Sequence, residues 1–183
     1  MNTNCLKVLA LVLPMSGAAY AQENPMVGGA AMYPDKTIVE NAVNSADHTT
    51  LVAAVKQAGL VETLSSEGPF TVFAPTNEAF AMIPEDVLAG YMKDENKERL
   101  VQILTCHVVS ANAMSTDIVK MIADDGGSHA VPTVGGCTLQ AKMDGDKVTL
   151  TDEQGNVATV TIADVRQSNG VIHVIDKVMM PAK

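Results

Sequence analysis

Residues 68–84 read GPFTVFAPTNEAFAMIP, and this stretch predicts a sharp corner between a strand and a helix. Its first half is a short apolar run typical of a buried strand. Pro75 ends that strand, because proline has no N–H to donate to a neighbouring strand. Thr76 or Asn77 follows with a side-chain oxygen suited to cap a helix, and the apolar residues after it define the buried side of that helix.

Residues 168–181, near the other end of the chain, read SNGVIHVIDKVMMP. Asn169 and Gly170 predict a turn, since both residue types tolerate the positive φ that tight turns need. The β-branched run after this turn predicts a buried closing strand, which Pro181 stops. His173 lies inside that strand.

These two segments lie about 90 residues apart, within a span of domain size, and resemble the two hallmark motifs of the fasciclin-like (FAS1) domain family. The resemblance covers residues 36–181. It implies an α+β fold in which helices pack on a small wedge of β-strands, and a secreted module of adhesion and interaction. It also implies structural roles for a set of motif residues: Pro75, Thr76, Asn169, Gly170 and His173.

The rest of the pattern agrees with that fold class. Thr37 and Glu40 have the spacing of a capping box and predict a helix start, and a second helix is predicted to end at Gly59. A further helical pattern covers residues 96–109. From Gly135 onward, apolar and polar residues alternate with a period of two, which predicts a meander of strands. Helices first and strands last is an α+β arrangement.

The N-terminal residues predict export. Residues 1–21 have one basic residue, an apolar run too short to span a membrane, and an A-x-A cleavage pattern, which together are typical of a bacterial-type signal peptide. Residues 22–35 are rich in Gly, Ala and Pro and predict an extended arm. Residues 36–183 then form a single domain, because no internal repeat is visible. We expect a periplasmic or extracellular protein without a membrane span.

The charge balance excludes nucleic acid as a partner. The chain has 12 basic and 21 acidic side chains, and loss of Lys7 with the signal peptide leaves 11 against 21, a formal charge of −10. A surface of this sign repels phosphate groups, and no cluster of Lys or Arg offsets it.

Two cysteines, Cys106 and Cys137, remain after the signal peptide. Disulfides persist in oxidising compartments, so the pair predicts a bridge. The alternative is two buried free thiols, because the sequence does not show whether the two Cα atoms come within bridging distance. Many FAS1 domains have tyrosine at the position of Cys106, which suggests that a tether replaces the packing of that tyrosine.

No enzyme or cofactor signature is present. The chain lacks a Gly-x-Ser-x-Gly elbow, a phosphate-binding loop, a His-Glu-x-x-His helix and a Cys-x-x-Cys pair, so we expect neither catalysis nor a cofactor. His107 and His173 could form a metal pair, but the resemblance favours structural hydrogen bonds for both. His48 and His129 lie near predicted loops and are expected to face solvent.

The resemblance also implies candidate contacts with a partner. Asp164 and Val165 match the place of an Asp-Ile pair that is implicated in receptor recognition by adhesion modules, and His107 belongs to a Tyr-His pair that some relatives use for adhesion. We predict an interaction module that acts in cell adhesion or in envelope or matrix organisation by binding protein or polysaccharide. Because aromatic anchors are scarce, the contacts are expected to be weak and multivalent. The alternative is a carrier of a small hydrophobic ligand or lipid, bound between the helices and the sheet.

Overall fold

The computed structural model of the protein describes residues 24–182. The predicted signal peptide lies outside the described residues. Within them, no helix combines the length and the apolar character needed to cross a membrane.

The described part of the chain contains seven α-helices and two short 3-10 turns. The helices are α1 (Ile38–Ala42), α2 (Thr49–Ala58), α3 (Val61–Ser65), α4 (Asn77–Ala81), α5 (Glu85–Tyr91), α6 (Lys97–Thr105) and α7 (Ser115–Asp124). The 3-10 turns are Ala46–His48 and Asp94–Asn96.

The same residues form nine strands. They are β1 (Met26–Val27), β2 (Ala30–Ala31), β3 (Phe70–Pro75), β4 (Val108–Val109), β5 (Ser128–Pro132), β6 (Thr138–Asp144), β7 (Lys147–Thr151), β8 (Val157–Gln167) and β9 (Gly170–Ile175). The first two make a separate hairpin, and the others make one sheet in the order β4-β3-β9-β8-β7-β6-β5.

The two motif segments are direct neighbours in this sheet, as its second and third strands. Strands β3 and β9 pair in parallel, from Phe70 opposite Gly170 to Pro75 opposite Ile175. The other strand pairs in the sheet are antiparallel. The predicted α+β class is therefore confirmed.

Side chains from β3 and β9 alternate between two hydrophobic cores, as the two-residue period of a strand requires. Val72 and Val174 pack with helices α1 to α6. Phe73 and Ile175 face the opposite side, where they pack with α7 and strands β5 to β8. These two strands are thus covered on both faces, which explains their nearly continuous apolar sequence.

The predicted helix caps are confirmed. The backbone N–H of Glu40 donates to the hydroxyl of Thr37 at 3.3 Å, and the N–H of Thr37 donates to the carboxylate of Glu40 at 2.8 Å. The hydroxyl of Thr76 accepts from the N–H of Ala79 at 3.3 Å. Gly59 ends α2 with φ of 74°, a left-handed conformation that glycine adopts at low cost.

The helix predicted over residues 96–109 is too long. Helix α6 ends at Thr105, and Val108–Val109 form β4, which pairs with Thr71 and Val72 of β3. β-branched residues fit a strand well, and β4 satisfies the edge of β3 that β9 does not cover. Strand β5 was not predicted, because Val131 is its only fully buried residue.

Residues 24–35 differ from the extended arm that the sequence predicts. They contain the hairpin β1–β2, whose turn places Gly28 and Gly29 at φ of 57° and 74°. Val27 and Met32 are 3% and 2% exposed and belong to the core. The two glycines permit the turn, and burial of the Val27 and Met32 side chains holds the hairpin against the domain.

Candidate functional site

Asn169 ties together three segments that are distant in sequence. Its amide nitrogen donates to the carbonyl oxygens of Leu64 at 2.8 Å and Ser66 at 3.0 Å, and its Oδ1 accepts from the N–H of Ile38 at 3.0 Å. Gly170 must lack a side chain, because a Cβ there would overlap the first carbonyl oxygen of β3. This turn therefore fixes α1 and the chain between α3 and β3 to the central sheet.

His107 is buried and makes a hydrogen bond with each ring nitrogen. Its Nδ1 lies 2.8 Å from the carbonyl oxygen of Ile103, and the N–H of Met179 donates to its Nε2 at 2.9 Å. A neutral ring with the proton on Nδ1 fits both partners. Burial lowers the pKa of His107 to about 4, so the ring is neutral at physiological pH.

His173, in β9, has a similar environment. Its Nε2 lies 2.9 Å from the carbonyl oxygen of Ala113, and its Nδ1 accepts from the N–H of Asp164 at 3.3 Å. Its ring stacks on Phe73, with 5.6 Å between the centroids. Burial also lowers the pKa of His173. Both histidines are thus placed to hold neighbouring segments together as neutral rings.

Asp164 points its carboxylate at the start of α7. Its Oδ1 accepts from the N–H of Ser115 at 2.6 Å, and its Oδ2 accepts from the hydroxyl of the same residue. The backbone of Asp164 has φ of 60°, an uncommon value for a residue with a side chain. This conformation and an irregularity in β8 aim the carboxylate at the helix start.

The structure places two of the three predicted partner contacts in the interior. Val165 is 0% exposed and His107 is 2% exposed, so a partner on the native surface does not touch either side chain. Asp164 is partly exposed, but both carboxylate oxygens are hydrogen-bonded to Ser115. A partner would have to compete with those bonds.

Cys106 and Cys137 are joined in a disulfide, with their Cα atoms 5.4 Å apart. The bridge links the end of α6 to the turn before β6, across a sequence separation of 31 residues. In the chain-entropy model, a loop of this length contributes about 3 to 4 kcal/mol to stability.

His48 is buried, which corrects the expectation that it faces solvent. It is 3% exposed, and its Nδ1 lies 2.9 Å from the hydroxyl of Ser45. The turn of the N-terminal hairpin covers this region, since the N–H of Ala46 donates to the carbonyl oxygen of Gly28 at 3.1 Å. Burial lowers the pKa of His48. No pattern near His48 indicates this burial, because it depends on the unexpected hairpin.

A polar recess lies beside the Asn169 turn. This polar groove is lined by Thr37, residues 65–69, Asn112 and residues 167–170, and its open volume is about 580 Å³. Its lining comes from four separate parts of the chain. The two motif segments supply two of them, so the fold itself creates the groove.

The floor and the rim of the polar groove differ in their hydrogen bonding. On the floor, Asn169 and Gln167 are each 8% exposed and bonded within the protein. On the rim, four exposed side chains make no hydrogen bond to another residue of the described range: Ser65, Glu67, Asn112 and Ser168. The rim therefore offers donors and acceptors to a ligand.

A second recess is apolar and much smaller. This apolar crevice lies between helices α1 to α3 and the strand β3, with Lys56 as its only charged lining residue, and it holds about 40 Å³ of open space. A water molecule in the liquid takes about 30 Å³, whereas ligand sites span about 300–1,000 Å³. The crevice in this conformation is too narrow for a lipid.

The part of the chain that the structure describes contains no group of three or more His, Cys, Asp or Glu residues able to hold a metal ion. His129 is paired with Asp125 at 2.6 Å on the surface. His107 and His173 use their ring nitrogens for backbone groups, as described above.

A family model for the fasciclin domain matches residues 46–181. This chain is a fasciclin-domain protein. The resemblance carried by the two motif segments is thus confirmed, and those segments are the paired parallel strands of the fasciclin domain.

Relatives cover most of this fasciclin-domain protein. Protein sll1483 of Synechocystis sp. is 46% identical over 160 residues, which are 87% of this chain and 82% of that protein. Immunogenic protein MPB70 of Mycobacterium bovis is 35% identical over 178 residues, which are 90% of this chain and 79% of that protein. Human periostin is 33% identical over 135 residues, and the match spans 15% of periostin.

A solved structure shares the fold. The FAS1 domain pair from the insect cell adhesion molecule fasciclin I superposes with a TM-score of 0.69 at 19% sequence identity. The match covers 79% of this chain and 51% of that chain.

Proposed function

We propose that this fasciclin-domain protein is an interaction module that binds protein or polysaccharide in cell adhesion or in envelope or matrix organisation. The observation that carries the proposal is the rim of the polar groove, where exposed hydrogen-bonding side chains are unpaired within the described residues. The buried polar groups on the floor of the groove already have hydrogen-bonding partners within the protein. The rim groups have none among the described residues and are therefore available to a partner. The fold shared with an insect cell adhesion molecule supports the same class of function.

The proposal is one of binding without catalysis. A nucleophile needs a base within hydrogen-bonding reach and donors for the developing charge. His107 and His173 have backbone partners at both ring nitrogens. His48 lies 2.9 Å from the hydroxyl of Ser45, but the two residues are only 3% and 2% exposed, so a substrate does not reach the pair. The lowered pKa values of all three histidines also make them weak bases.

The proposal includes export to the periplasm or the cell exterior. The disulfide between Cys106 and Cys137 supports an oxidising compartment. Mass spectrometry of the chain isolated from its native cells is expected to give a mature N-terminus at Gln22. A full-length chain in the cytoplasmic fraction, with both thiols free, would contradict export.

The carrier alternative is not favoured, because the apolar crevice holds about 40 Å³. Native mass spectrometry of the mature protein checks this point. A co-purified lipid that is lost on denaturation would restore the carrier function.

Adhesion can be tested with beads that display many copies of residues 22–183. The beads are incubated with envelope fragments of the native cells, and retention is compared with that of albumin-coated beads. We expect retention that excess soluble domain displaces slowly, because weak single contacts become strong when many act together. Retention equal to that of the albumin-coated beads would contradict the proposed function.

A further inference from the structure

We propose that the polar groove binds the hydroxyl groups of an uncharged polysaccharide chain. This inference rests on the proposed function and narrows its partner to one chemical class. It places recognition at the rim of the groove, away from Asp164, Val165 and His107.

The rim groups match the chemistry of sugar hydroxyls. The carboxylate of Glu67 accepts hydrogen bonds, the carboxamide of Asn112 both donates and accepts, and the hydroxyls of Ser65 and Ser168 do the same. Sugar hydroxyls also donate and accept, and they occur in adjacent pairs. A ring held in the groove can therefore bond to several rim groups at once.

The composition of the groove disfavours other ligand classes. Its lining has no Lys, Arg or His, so nothing there neutralises a phosphate, a sulfate or a uronate. It also lacks aromatic and long aliphatic side chains, which bind lipids and most hydrophobic metabolites. Pro69 supplies a small apolar surface suited to the C–H face of a sugar ring.

One wall of the groove is held rigid by Asn169. Its bonds to the carbonyl oxygens of Leu64 and Ser66 fix the backbone that carries Ser65 and Glu67. The N–H of Ser168 donates to the carbonyl oxygen of Lys36 at 2.9 Å. These bonds fix the positions from which the rim side chains reach the ligand.

The opposite wall is fixed by the buried hydroxyl of Thr71. It donates to the carbonyl oxygen of Ala111 at 2.6 Å and accepts from the N–H of Ala113 at 2.9 Å. His173 binds the carbonyl oxygen of Ala113 as well. Asn112 is therefore an exposed residue on a loop that is anchored on both sides. A ligand that meets preorganised groups loses less affinity to the ordering of the site.

The volume and the strand order argue for a saccharide rather than a peptide. About 580 Å³ lies within the range of about 300–1,000 Å³ that is usual for small-ligand sites. Peptides often bind by adding a strand to a sheet edge. The strands that reach the groove, β3 and β9, have neighbours on both sides, so no strand edge is open there.

Native gel electrophoresis tests the inference directly. The mature chain is run through gels that contain dextran, galactomannan or mixed-linkage β-glucan, with alginate as an anionic polysaccharide. We expect at least one neutral polysaccharide to retard the protein and alginate to leave it unaffected. No retardation by any of the three neutral polymers, or equal retardation by alginate, would overturn the inference.

Variants at the rim locate the binding site. Asn112→Ala and Glu67→Gln are each expected to weaken binding about tenfold, the effect of losing one good hydrogen bond to the ligand. Glu85→Gln removes the same charge on α5, outside the groove, and is expected to bind like the unchanged protein. Reference gels without polysaccharide correct for altered charge, and circular dichroism checks the fold. Retardation that survives both rim substitutions would refute this site.

A blocking variant gives a second, independent readout. Ser65→Tyr places a bulky side chain at the rim and is expected to abolish retardation, while the thermal unfolding midpoint stays unchanged. If the polysaccharide retards this variant as strongly as the unchanged protein, that result also contradicts the site.

The bead experiment separates this inference from the proposed function. If beads that carry the rim variants adhere as strongly as the unchanged protein, and polysaccharide still retards those variants in gels, adhesion uses another surface and only the saccharide site is wrong. If beads that carry the unchanged protein do not adhere at all but neutral polysaccharide still retards the protein, the saccharide site stands and the proposed adhesion function is wrong.

Discussion

Two sets of polar side chains in this domain differ in how their hydrogen bonds are used. Asn169, His107 and His173 are at most 8% exposed and are bonded to backbone groups. Glu67 and Asn112 are exposed and have no such partner in the described range. The first set, the seam residues, connects segments of the fold, whereas the second set, the rim residues, is free to meet a ligand.

The difference shows that the side chains of motif residues can be used entirely for contacts inside the domain. The motif stretches contain the seam residues Asn169 and His173, and their contacts are internal. Among the residues free to contact a partner, Asn112 belongs to neither motif. The motif residues alone would therefore not lead to Asn112 as a candidate contact.

The largest expected effect comes from Asn169→Ala. This change leaves two carbonyl oxygens and one N–H without their partner, and we expect the free energy of unfolding to fall by about 4 kcal/mol. Urea unfolding followed by circular dichroism measures the loss. Asn112→Ala is the matched control and is expected to change stability by less than about 0.5 kcal/mol. Equal losses of unfolding free energy in both variants would contradict the distinction between seam residues and rim residues.

Acid is expected to lower the stability of the domain through the buried histidines among the seam residues. Burial holds the pKa of His107 at about 4, below the value of 6.5 that applies to the unfolded chain, so the unfolded state binds more protons between these values. Stability is therefore complete above pH 6.5 and falls as the pH drops towards 4. His107 alone accounts for about 3 kcal/mol of this loss.

Two measurements check the acid effect. Urea unfolding at several pH values gives the slope of the free energy of unfolding against pH. Titration of the His107 ring by NMR gives its folded-state pKa. Burial also lowers the pKa values of His48 and His173, which adds loss of the same sign. A folded-state pKa near 6.5 for His107 would contradict its role in the seam.

A smaller effect is expected for Asp164→Ala, which removes both bonds to Ser115 at the start of α7. We expect a loss of about 2 kcal/mol, the upper range for a helix cap. Asp164→Asn keeps one acceptor and tolerates positive φ, so its loss should be about half as large. Thermal unfolding measures both. Unchanged stability together with lost adhesion would make Asp164 a partner contact instead.

The smallest effect on stability is expected for Glu67→Gln. Its carboxylate has no hydrogen-bonding partner among the described residues, so the change should stay below about 0.5 kcal/mol. The same variant should lose most of its polysaccharide binding. Thermal unfolding and gel retardation measured on one preparation give both values. A large loss of stability would show that the rim has a structural role.

The sequence predicted the elements whose signals are local. A capping box at Thr37, a cap at Thr76 and a stop at Gly59 each depend on residues within one turn of helix. The two motif strands have a dense β-branched or aromatic composition. These features need no knowledge of the rest of the chain, and the structure confirms them.

The features that the sequence did not predict depend on distant partners. Strand β4 exists because β3 has an open edge, and His48 is buried because the N-terminal hairpin packs over it. The pair Gly28-Gly29 was the available signal for that hairpin. The polar groove combines four segments between residues 37 and 170, so no pattern along the chain indicates it.

The parallel pairing of β3 with β9 has a consequence for how the domain folds. Residues 70–75 must wait for residues 170–175 before this pair can form, and it joins residues 100 positions apart, as in Phe70 opposite Gly170. The other strand pairs join residues that are closer in sequence. Proteins dominated by contacts between distant residues fold slowly, because a long loop must first close, and its closure lowers the chain entropy before the stabilising contacts form. A chain that emerges from its N-terminus, at a ribosome or a translocation pore, cannot complete this sheet until residues 170–175 are free. Its final strand thus sets the moment of folding.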